Sequence, residues 1–104
     1  MNLPASVEIA DSDLMGKCKR YIALRENFTV SILRSNKHFG RYLRTIDAYL
    51  RNGVPDQSWK SIVDSWFVSN FVAVWWLAVR ENNYTAHVDQ NGDGILIHFS
   101  LPKK

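Results

Sequence analysis

At 104 residues, 46% of them hydrophobic and 22% charged, the chain carries enough apolar material for one core and too little for two ordinary domains, which excludes a disordered protein. One cysteine, Cys18, excludes an intramolecular disulfide. The net charge of +3 is unevenly spread: residues 1–16 hold Glu8, Asp11 and Asp13 and no cation, whereas residues 17–51 hold most of the Lys and Arg against only Glu26 and Asp47.

The chain reads as a single domain over residues 1–104, with residues 1–10 as an N-terminal arm or short strand in which Val7 and Ile9 alternate. Its first six residues have neither a cationic start nor an apolar core, so no signal peptide is expected. Asp11-Ser12-Asp13 places acidic side chains where a helix begins, and a first helix is expected from about Asp13 to Arg25, with Leu14, Cys18, Tyr21, Ile22 and Arg25 along one side. Phe28 to Leu33 is β-branched and reads either as more helix or as a segment beyond a turn near Asn27.

From Ile32 the spacing favours helix. Ile32, Phe39, Leu43, Ile46 and Leu50 make one apolar stripe, and Asn52-Gly53-Val54-Pro55 stops it. A third helix is expected from about Gln57 to Arg80, apolar nearly all round toward its end. Its most apolar stretch, Trp66 to Val79, is shorter than the roughly 20 residues that cross a bilayer, so a soluble protein with no membrane partner is expected, and the lone cysteine suits a cytoplasmic location.

The period then changes to two. Tyr84, Ala86 and Val88, and after the turn Ile95, Ile97, Phe99 and Leu101, alternate with more polar residues on either side of Asn91-Gly92, the pattern of a β-hairpin. The expected fold class is therefore α+β: about three α-helices followed by a C-terminal antiparallel β-hairpin packed on the aromatic-rich central helix.

The strongest candidate for function is a basic helix face. Arg34, Lys37, Arg41, Arg44 and Arg51 recur at helical spacing, with Arg34 and Arg41 far around from the apolar Ile32 and Phe39 two positions earlier, and with His38 and Tyr42 beside them. Planar guanidinium groups suit phosphate and carboxylate, and the single sign of charge is not what stability alone favours on an exposed helix. Against this stands the ordinary reading of a solvated face.

Other motifs are weaker. Three helices and a hairpin is also the layout of a winged helix, but its wing loop, Gln90 to Gly94, has no Lys or Arg. The loop from Asp89 to Gly94 resembles the first half of a calcium-binding EF-hand loop. Position twelve is Ser100 where a bidentate Glu is needed, so a plain turn is expected. His87 and His98 lie on the polar side of the hairpin, directly opposite or diagonal according to register, with Asp89 near them. They are read as solvent-exposed or partner-facing, with no metal and no cofactor expected. Positive neighbours around Cys18 would favour its thiolate if it is exposed, but burial is the default. No triad, carboxylate pair or phosphate loop is evident, so no enzyme is expected.

Trp59, Trp66, Trp75 and Trp76 fall on one helix. Trp59 and Trp76, with His87 and His98, are candidate partner anchors, and a homodimer through the aromatic helix is one way to cover them. The expected function is a small regulatory or accessory binding protein that docks its basic helix face on nucleic acid or a nucleoprotein. The alternative is a protein-binding inhibitor or adaptor of the kind encoded by phages or plasmids, which uses the same face on an acidic protein and blocks it sterically.

Overall fold

The computed structural model describes residues 5–52 and 68–102. In chain order the elements are β1 (Ala5–Glu8), α1 (Leu14–Ala23), β2 (Phe28–Leu33), α2 (Phe39–Asn52), a helical stretch α3, β3 (Thr85–Asn91) and β4 (Gly94–Ser100). The α3 stretch consists of a π-helical turn Val68–Val72, an α-helical turn Ala73–Trp75 and a second π-helical turn Trp76–Arg80. Among the described residues four strands form one mixed sheet in the order β1-β2-β4-β3.

This architecture overturns the expected fold class. Strands are interleaved with helices, and β3 and β4 are the outer half of a larger sheet that includes a parallel pair. In that pair Ala5 aligns with Phe28 and Val7 with Val30, and α1 makes the crossover that a parallel connection requires. β4 lies antiparallel to β2, with Val30 opposite Ile97 and Ile32 opposite Ile95. β3 completes the sheet against the other side of β4, with Ala86 opposite Phe99 and Val88 opposite Ile97.

The largest correction lies at Phe28–Leu33. Its six residues form a central strand with a neighbour on each side, and Phe28, Val30 and Ile32 all point into the core. Ile32 is therefore the last core residue of β2 rather than the head of a helical stripe. Its spacing to Phe39 suits a helix, but residues 34–38 turn the chain between them. Asn36 ends that turn by accepting the His38 backbone N–H at 2.8 Å through its side chain.

α1 ends two residues short of the expected Arg25. Leu24 closes it, Arg25 takes a left-handed φ of 57°, and the Arg25 N–H returns to the Ile22 carbonyl at 3.1 Å. Of the stripe expected on this helix, Leu14, Cys18 and Ile22 are buried and Tyr21 is half-buried. Residues 5–8 resolve the choice between arm and strand in favour of a strand.

All three helical stretches contribute to one core on a single face of the sheet. Leu14, Cys18 and Ile22 from α1, Tyr42 and Ile46 from α2, and Phe71, Val74, Trp75 and Ala78 from α3 meet Phe28, Val30, Ile32, Ile95, Ile97 and Phe99. An unbroken string of rings runs through that core. Tyr21 stacks on Phe28 at 5.6 Å, Phe28 on Phe99 at 5.0 Å, Trp75 sets an edge to Phe99 at 5.9 Å, Phe71 to Trp75 at 5.3 Å, and Tyr42 to Phe71 at 5.7 Å. The other face of the sheet is more polar, presenting Glu8, Thr29, Ser31, His87, Asp89 and His98. Among the described residues no helix is long and apolar enough to cross a membrane.

Candidate functional site

α2 is amphipathic by sequence, and its packing follows. Tyr42 and Ile46 are buried against the core while Phe39 and Leu43 flank them, half-buried. A residue advances about 100° around an α-helix, so Arg41, Arg44 and Arg51 share the opposite side. All three are exposed, and Asp47, also exposed, is the one acid on that stretch. With a rise of about 1.5 Å per residue, the Arg41 and Arg51 backbone positions lie roughly 15 Å apart along the axis. Arg51 also stands in the last turn, where its charge complements the negative end of the helix dipole.

The five-cation stripe expected from spacing is thus three arginines on a helix and two cations before it. Lys37 is exposed in the turn that leads into α2. Arg34 is differently employed. Its Nε donates to the Gly92 carbonyl at 3.1 Å, its Nη2 to the Asn91 carbonyl at 3.4 Å, and its guanidinium lies 5.1 Å from the centroid of the Phe39 ring. It ties the β3–β4 turn to the start of α2. The Arg34 backbone N–H adds a bond to the Asp93 carbonyl at 2.9 Å. A bidentate guanidinium held this way is a structural clamp before it is a ligand contact.

Tyr42 is removed from the candidate surface altogether. It is 2% exposed, packs against Phe71, and its phenol is pushed up by burial, with Asn70 as a hydrogen-bond partner acting the other way. A ring in the core is not available to stack on a base. His38 is half-buried at the foot of α2, next to the exposed row.

The aromatic helix is likewise turned inward. Phe71, Val72, Val74, Trp75 and Ala78 belong to the protein's own core, and Trp76 is half-buried with Arg80 lying 5.4 Å over its ring. Trp59 and Trp66, and the helix start expected near Gln57, lie outside the described residues.

On the polar face of the sheet, register brings together a cluster that spacing alone left open. His87 and His98 are directly opposite, their rings stacked at 6.2 Å. Asp89 lies between their ring nitrogens: His98 Nε2 is 2.8 Å from one carboxylate oxygen and His87 Nε2 is 3.2 Å from the other. Thr29 Oγ1 sits 2.9 Å from His98 Nδ1. An ionised Asp89 only accepts, so His98 donates from Nε2, and a neutral imidazole then accepts the Thr29 hydroxyl at Nδ1. His98 is thereby held on both sides, while His87 has 76% of its side chain exposed. Of the two histidines expected to face a partner, His87 is the accessible one. Thr29 is not legible from sequence as its neighbour because Phe28–Leu33 fits helix as well as strand; Asp89 is signalled by the period-two alternation it shares with His87.

The turn below this cluster shows why its resemblance to a calcium loop is superficial. Asn91 uses its side-chain oxygen to accept the N–H groups of Asp93 at 2.9 Å and Gly94 at 3.2 Å, and Asp89 faces the histidines. These oxygens organise a hairpin turn. Among the described residues no group of three His, Cys, Asp or Glu side chains is placed to hold a metal ion. Comparison with protein-family models, with curated proteins and with solved structures gave no match in any of the three.

Proposed function

We propose that the protein is a small non-catalytic binding protein that docks the outer face of α2 on nucleic acid. The observation that carries this reading is the exposed row Arg41, Arg44 and Arg51, set opposite the buried Tyr42 and Ile46 and preceded by exposed Lys37. A rigid helix fixed by its core face presents these guanidinium groups at set intervals. Contacts of this kind neutralise phosphates and position a protein on a strand, while carrying little sequence information. Occupancy of the nucleic acid, with exclusion of competitors, is then the mode of action. The exposed Asp93 in the β3–β4 turn supports the helix over the hairpin as the contact surface.

Fluorescence anisotropy of labelled duplex and single-stranded oligonucleotides across a salt series tests this reading. Three to four phosphate contacts predict a log–log slope of about −3 for duplex DNA. Replacing Arg41, Arg44 and Arg51 together by Gln should remove binding and leave the circular dichroism spectrum unchanged; Arg34 is left intact because its clamp is part of the fold. The reading fails if neither oligonucleotide binds at low salt, or if the triple variant keeps wild-type affinity. An acidic protein surface would offer the same arginines carboxylates in place of phosphates. A nuclease-resistant, stoichiometric protein partner in a pull-down, with no oligonucleotide binding, identifies that case.

A further inference from the structure

Among the described residues β3 is an edge strand, hydrogen-bonded to β4 on one side only. A strand in that position presents a row of outward N–H and C=O groups that template pairing with another chain, and proteins commonly blunt such edges by shortness, Lys, Pro or a bulge. At the opposite edge the described β1 covers four residues, Ala5–Glu8. β3 has seven residues, Thr-Ala-His-Val-Asp-Gln-Asn, with no Lys, Arg or Pro, and its register against β4 runs without interruption from Thr85 to Asn91. Thr85, His87, Asp89, Gln90 and Asn91 are all exposed.

The order of those side chains is self-complementary. If two copies of β3 pair antiparallel about a twofold axis at Val88, His87 of each copy faces Asp89 of the other, Ala86 faces Gln90, and Val88 meets its own counterpart. Directly opposed residues in an antiparallel pair share a face and interact, favourably when their charges are opposite. A twofold at His87 would set imidazole against imidazole, and one at Asp89 would set carboxylate against carboxylate, so the pairing of an imidazole donor with a carboxylate acceptor selects the Val88 register.

We propose that β3 is the seat of a symmetric homodimer, in which two sheets join edge to edge about Val88. The occupant of the edge is a second copy of this chain, chosen by the reciprocal His87–Asp89 pairing. Asp89 keeps His98 on one oxygen at 2.8 Å and turns the other, which faces its own His87 at 3.2 Å, toward the partner's imidazole. Val88, half-buried on the core side, gains a neighbour. Because the axis is perpendicular to the sheet, the helices of both copies stay on one face. The interface is isologous, closing at two copies instead of growing into a fibre. It is separate from the α2 arginines and does not depend on their role.

Sedimentation velocity over a wide concentration range tests the dimer. Wild type should show a reversible monomer–dimer equilibrium, and His87→Asp, which opposes two carboxylates at each of two symmetric positions, should weaken it by about tenfold or more. The double variant His87→Asp/Asp89→His exchanges the partners and should restore association. Val88→Cys reads the register directly: it should form a disulfide-linked dimer under mild oxidation, far faster than a control cysteine at exposed Ser6 on β1. Buried Cys18 does not compete for oxidation. The triple Arg→Gln variant should dimerise like wild type. Wild type that stays monomeric at every concentration, a dimer indifferent to His87→Asp, or cross-linking at Val88→Cys no faster than at the Ser6 control would overturn the proposal.

Discussion

Cys18 sits among Lys17, Lys19 and Arg20, and at the level of sequence those charges argue for a reactive thiolate. Position on the helix decides otherwise. Four residues from Leu14 and four from Ile22, its side chain falls on the buried stripe of α1 and is fully enclosed, whereas Lys19 and Arg20 are exposed and Lys17 donates to the Asp11 carboxylate. Burial pushes the thiol up to about 12, because the apolar surroundings disfavour the charged form more than the distant cations favour it. The folded protein should therefore leave a thiol reagent almost unconsumed at pH 8, and one equivalent should react once denaturant opens the core. Rapid labelling of the native protein would show that α1 exposes this face. The same rule of position separates the arginines. Arg41 and Arg44 are exposed by their angle from Tyr42 and Ile46, while Arg34, lying before the helix begins, is drawn to the carbonyls of Asn91 and Gly92.

At the scale of elements, the junction of β2, the β3–β4 turn and α2 carries the most constraint. Gly94 opens β4 with a φ of 151°, and a Cβ placed there would stand 2.2 Å from the Ile32 carbonyl oxygen and 3.0 Å from the Arg34 nitrogen. Both obstacles are backbone, one in β2 and the other bonded to the Asp93 carbonyl, so neither moves cheaply. Gly94→Ala should cost on the order of 1–3 kcal/mol, read as a lowered denaturation midpoint. A variant as stable as wild type would mean that the strand ends are not locked together. This junction also marks where sequence legibility stops. The Asn-Gly turn and the alternation around it identify both hairpin strands, since period two and turn chemistry are local. α1 and most of α2 are legible from their apolar spacing for the same reason. Phe28–Leu33 is not, because a strand buried on one face and paired on both sides differs from an apolar helix segment only in its long-range partners, Ala5–Glu8 and Gly94–Ser100. The site inherits that division: Arg41, Arg44 and Arg51 follow from the α2 stripe, but the spacing that also includes Arg34 and Lys37 overruns a helix that starts only at Phe39.

For the molecule as a whole, the order β1-β2-β4-β3 places the two central strands between both edges and beneath the helices. The aromatic string ties this centre to every helical stretch, for Phe28 and Phe99 stack on each other while Tyr21 and Trp75 reach them from α1 and α3, and Phe71 and Tyr42 extend the line to α2. Local opening of β3 or β1 breaks one line of backbone pairing, whereas opening β2 or β4 breaks two and unstacks the core. Amides at Val30, Ile32, Ile95, Ile97 and Phe99 that bond within the sheet should therefore exchange only through global unfolding, and those of β1 should exchange fastest among the strands. Native-state hydrogen exchange against denaturant distinguishes the cases: the central amides should converge on the free energy of unfolding measured by fluorescence, while the β1 amides open at lower cost. If the slowest amides instead lay in α1 or α2, the helical layer would be the stable unit and the sheet its dependant. That result would also undercut the rigid support on which the arginine row relies, since α2 holds its register only as long as Tyr42 and Ile46 stay seated in a core that the central strands keep closed.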